Sequence, residues 1–105
     1  MTELFFDTIR EKMDRSSSHG RERIVLMFTL LLTMLNDELK KHPDGQEPVA
    51  VINMRNSLEG ILATERTSES ALPPVNAFIK SFNDEHLPKE LKVTVLNYLS
   101  TFVPV

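Results

Sequence analysis

The sequence predicts an all-α fold: a compact antiparallel array of about five helices around a buried central helix over residues 20–41. Three observations carry the prediction. Apolar residues recur at helical spacing in five separate stretches, and turn formers or prolines punctuate those stretches. No segment alternates convincingly as a strand or carries a hairpin signal such as Asn-Gly. At 105 residues, 41% apolar and 26% charged, the chain has enough to bury for one core and is expected to form a single helical domain, 1–105.

The first helix is expected over residues 3–14, with Thr2 as its cap and Phe5, Phe6, Ile9 and Met13 at helical spacing. Arg15-Ser16-Ser17-Ser18-His19-Gly20 then interrupts it, and Ser17 or Ser18 can cap the next helix. That second helix, 20–41, contains the run Ile24 to Leu35, apolar at nearly every angle, with only Thr29 and Thr33 marking a softer side. A helix of that kind is expected to be surrounded by others. Lys40 and Lys41 place positive charge at its negative dipole end, and His42-Pro43-Asp44-Gly45 terminates it.

From Pro48, the stripe Val51, Met54, Leu58, Ile61 and Leu62 predicts a third helix to residue 64, although Val49-Ala50-Val51-Ile52 alone would also begin a strand. The polar stretch 65–72 reads as the longest loop, and Pro73-Pro74 as an extended entry to a fourth helix over 74–86, carrying Val75, Phe78, Ile79 and Phe82 on one stripe. Pro88 opens a fifth helix to about residue 103, marked by Leu91, Val95, Leu96, Tyr98, Leu99 and Phe102. The last two helices, hinged at Leu87-Pro88 and followed by Leu91-Lys92 and Val95, faintly resemble a HEAT-type pair, so the array reads as a bundle or as HEAT-like helix pairs. The match has no diagnostic motif, and no segment recurs at a fixed period.

Composition narrows function by exclusion. A formal charge of −3 offers no general attraction to nucleic acid or anionic lipid. With no cysteine there are no disulfides, thiolate zinc sites or thiol nucleophiles. The run Ile24 to Leu35 is far short of the roughly 20 residues that span a bilayer, and Glu3 and Asp7 stand where a secretory peptide would be basic. A soluble protein of the cytoplasm or nucleus, without membrane contact, is therefore expected.

Catalytic chemistry is not expected, and neither a metal nor a cofactor is called for. His19, His42 and His86 fall at helix ends or loops without ligand partners at helical spacing. Asp84-Glu85-His86 is the densest polar trio, but neighbours on a helix diverge by about 100° and do not converge on one ion. A helix C-terminus with a favourable histidine accounts for it. Asp37-Glu38 and Asp84-Glu85 are carboxylate pairs in sequence only and lie in no stripe that would bury them. A basic cluster around the first turn, with Arg15, Arg21 and Arg23 as its candidate anion or nucleic-acid ligands, is diluted by Glu11, Asp14 and Glu22. Arg15-Ser16-Ser17-Ser18 also matches a basophilic phosphorylation pattern.

Surplus hydrophobicity is the stronger signal. Leu4, Phe5 and Phe6 sweep about 200° of a helix and do not all fit one core. On the fifth helix the apolar face is broad, Val93 lies further round, and Tyr98, Phe102 and Val103 continue it to Pro104-Val105. Exposed apolar groups rimmed by charge mark partner-binding surfaces. The expected function is a noncatalytic interaction module, a scaffold, adaptor or regulatory domain that binds a partner helix or peptide. Its predicted contact residues are Leu4, Phe5, Phe6, Val93, Tyr98, Phe102 and Val103, and its partner is another protein, a homodimer included. Nucleic-acid binding through Arg15, Arg21 and Arg23 is the alternative.

Overall fold

The computed structural model describes residues 2–14 and 20–104, which form five α-helices: α1 (Thr2–Met13), α2 (Arg21–Lys40), α3 (Val49–Thr64), α4 (Leu72–Phe82) and α5 (Lys89–Phe102). The all-helical array expected from periodicity is present, and the described residues contain no strand. The caps expected at Ser17 and Ser18 lie outside the described residues.

Helix boundaries follow local chemistry. Gly20 precedes α2 with φ +82, a left-handed conformation that a residue without Cβ adopts freely. At the same junction Arg21 Nη1 donates to the Met13 carbonyl oxygen at 2.8 Å, satisfying an acceptor at the end of α1. Pro48 and Pro88 both act as cap residues, their carbonyls accepting from the Ile52 and Lys92 amides. Neither proline forfeits an intrahelical bond at such a position.

Two boundaries differ from expectation around α4. Pro73 and Pro74 lie within its first turn instead of leading into it, because first-turn positions require no N–H donor. The helix ends at Phe82, not 86. Asp84 Oδ1 there accepts the His86 amide at 2.8 Å, and the Leu87 amide donates to the Asp84 carbonyl oxygen at 3.1 Å. Asp84-Glu85-His86 is thus a turn stabilised by its own aspartate, as short polar side chains favour.

The core draws on all five helices. Phe28 of α2 meets Phe78 of α4 edge to face at 5.5 Å, and Phe6 of α1 meets Phe82 of α4 at 5.4 Å. The α3 and α4 pair is the most extensive, with Gly60 allowing close approach of Pro74. Buried hydroxyls along this seam are satisfied within their own helices: Ser57 Oγ donates to the Met54 carbonyl at 2.6 Å and Ser81 Oγ to that of Ala77 at 3.0 Å. α2 also packs on α1 and α3, while α5 packs chiefly on α2.

The assembly measures 42 × 31 × 19 Å. A thickness of 19 Å is close to two helix diameters of about 10 Å, so a helix inside it retains one outward face. This corrects the expectation that α2 is enclosed on every side. Ile24, Met27, Phe28, Leu31 and Leu35 are buried, but Leu26 is 51% and Leu30 39% exposed. Two leucines of the most apolar stretch in the chain therefore face outward.

Candidate interaction surface

The predicted contact residues fall into three groups. Of the α1 trio, Leu4 faces outward at 56% exposure and Phe5 is half-buried against the core, whereas Phe6 is buried on Phe82. Phe6 is thus a core residue, because Ile9 and Met13 lie one and two turns along the same stripe. Val103 is buried as well, its amide continuing α5 by donating to the Leu99 carbonyl oxygen at 2.9 Å. Val93 is exposed but lies half a turn round α5 from Phe102, so the two do not form one patch. Tyr98 and Phe102 are half-buried and stacked, ring centres 6.2 Å apart.

Besides Val49 at the start of α3, the exposed large apolar residues that the predicted set lacks are Leu26 and Leu30. One turn apart on α2, they share its outward side with Thr29 and Thr33. Those threonines were the available signal, since they mark the same side as polar enough for solvent. Leu30 stands beside Tyr98 in a cleft between the antiparallel helices α2 and α5, where Thr33, Met34, Asp37, Glu38 and Lys41 complete a cavity of about 380 Å³. Met34 and Glu38 also line the adjoining cavity of about 280 Å³, which runs to Pro88, Glu90, Leu91 and Thr94. Sharing Met34 and Glu38, the two adjoin along the α2/α5 seam as an open channel lined by apolar Leu30, Met34, Leu91 and Tyr98 and by charged Asp37, Glu38, Lys41 and Glu90.

The described arginines of the basic cluster are engaged internally. Arg21 forms an ion pair with Glu65 at the end of α3, Nε donating to Oε1 at 3.3 Å, besides its bond to Met13. Arg23 donates through Nε and Nη2 to the carbonyl oxygens of Phe102 and Thr101 at 3.1 and 2.9 Å, with its guanidinium 5.8 Å from the Phe102 ring centre. The structure thus uses both to tie helix ends together. Arg15 lies outside the described residues.

A larger groove of about 500 Å³ runs between α3 and α4, lined by Asn53, Asn56, Lys80 and Asp84 with Ser57 and Ser81. Both serine hydroxyls donate to carbonyls of their own helices, and Asn56 Oδ1 accepts from Arg55 Nε at 2.9 Å. Among the described residues no three His, Cys, Asp or Glu side chains are grouped to hold a metal, and no helix is long and apolar enough to cross a membrane. In comparison with known proteins, the chain matches no family model, no curated protein and no solved structure, so the α2/α5 channel rests on its own geometry.

Proposed function

We propose that the protein is a noncatalytic interaction module whose docking surface is the α2/α5 channel and the outward side of α2. The observation that supports this reading is the exposure of Leu26 and Leu30 beside the half-buried Tyr98 and Phe102. Covering the exposed part of such a leucine is worth about 1 kcal/mol, so a partner that seats both gains about 2 kcal/mol before its own anchors count. That gain is available only on association. The core does not need these side chains, since α2 already buries five others.

A photocrosslinking amino acid replacing Leu30 tests the reading in cells that make the full chain, with the same probe at Val93 as a control on the opposite side of α5. A discrete protein adduct is expected from position 30, absent at position 93 and lost with Leu26→Asp. Equal adducts from both positions, or none from position 30, would refute the proposal.

A further inference from the structure

The channel's charge and backbone chemistry specify its occupant more closely, on the premise that the interaction reading is correct. Its apolar lining is Leu30, Met34, Leu91 and Tyr98, while the ionisable groups lining it are the carboxylates Asp37, Glu38 and Glu90 and the single base Lys41, whose Nζ already sits 3.2 Å from Glu38. Both walls are α-helices, whose backbone donors and acceptors are satisfied along their own axes away from the ends. An incoming chain therefore finds side chains but no ladder of free amides, and must satisfy its own backbone. A helix does so, whereas an extended strand does not. The span from Leu26 to Glu38 is about 18 Å of helix rise, which about three turns of a partner helix would cover.

We infer that the occupant is a cationic amphipathic helix of a partner protein, about three turns long, with its apolar stripe on Leu30 and Tyr98 in the channel and on exposed Leu26 beyond it, and with lysine or arginine side chains facing Asp37 and Glu90. A second copy of this chain is the poorer match. It carries a net charge of −3 and presents the same carboxylates from the same face, so self-pairing adds no charge complementarity.

The test uses the full chain and two synthetic helices of about 14 residues, one built from leucine and lysine and one from leucine and glutamate with the same apolar face. Binding is read by fluorescence anisotropy and located by amide chemical-shift mapping. The leucine–lysine helix should shift resonances of α2 and α5 and bind about tenfold more tightly than its acidic counterpart, as two exposed charge pairs imply. The double variant Asp37→Lys, Glu90→Lys should reverse that preference, whereas Asp7→Lys, Glu59→Lys, an equal charge change away from the channel, should not. If both helices bind the channel equally, the charge inference fails and the interaction reading stands. Shifts confined to other helices, or a Leu30-dependent homodimer in analytical ultracentrifugation, would overturn the inference in favour of another surface or a second copy. If neither helix binds and the chain sediments as a monomer, the inference falls, and the crosslink at position 30 decides the interaction reading separately.

Discussion

Arg23 of α2 grips the last turn of α5 through Phe102, lying 5.8 Å over its ring while Nε donates to its carbonyl oxygen at 3.1 Å. α5 has no basic residue in its own last turn, so a cation that complements its terminal carbonyls comes from another helix. One side chain thereby closes the end of the α2/α5 seam opposite Asp37 and Glu90.

Arg23→Ala should therefore loosen α5 selectively. Loss of the ring contact and the two hydrogen bonds should cost about 1–2 kcal/mol, read in urea unfolding. Hydrogen exchange at amides 99–103 should accelerate while that of α3 changes only by the global amount. Uniform acceleration across the helices would contradict the local role.

The two sides of α2 should respond very differently to truncation. Phe28→Ala removes a fully buried ring and should destabilise by about 3–5 kcal/mol, whereas Leu26→Ala should cost below about 1 kcal/mol. Similar losses at both positions would mean that Leu26 is covered in the isolated protein.

Within the α1 trio, Leu4→Ala should be nearly silent and Phe6→Ala costly, about 3 kcal/mol or more, because only the Phe6 ring is buried on Phe82. Thermal unfolding of the pair checks this. A substitution such as Phe6→Asp should therefore disrupt folding, and it is unsuitable as an interface probe.

Gly45 turns between α2 and α3 with φ +83, and a Cβ there would meet nothing within 4 Å. Gly45→Ala isolates the backbone term and should destabilise by about 1 kcal/mol, read as a lower denaturant midpoint with an unchanged slope. A neutral result would show that this loop relaxes to negative φ without loss.

Much of this architecture was legible in the chain. The stripe Val75, Phe78, Ile79 and Phe82 specified α4, and Pro48 and Pro88 marked helix starts within a residue, because both signals are local. The end of α4 was not legible: Asp84 works through a turn to His86 that competes with helix continuation, and both outcomes suit the same residues. The candidate site was legible only in part. The sequence points to Tyr98 and Phe102, which are half-buried, and equally to Phe6 and Val103, which are core, while Leu26 and Leu30 are hidden within an apolar run.

By itself, the sequence determined that five helices form, where most of them start, and that the chain holds more apolar surface than a narrow core stripe on each requires. Tertiary structure alone decided which apolar side chains remain outside. An all-apolar helix has no preferred inward face until its neighbours arrive, and here α1, α3 and α5 pack round α2 in an assembly only 19 Å thick. That geometry leaves one side of α2 uncovered, and Leu26 and Leu30 occupy it.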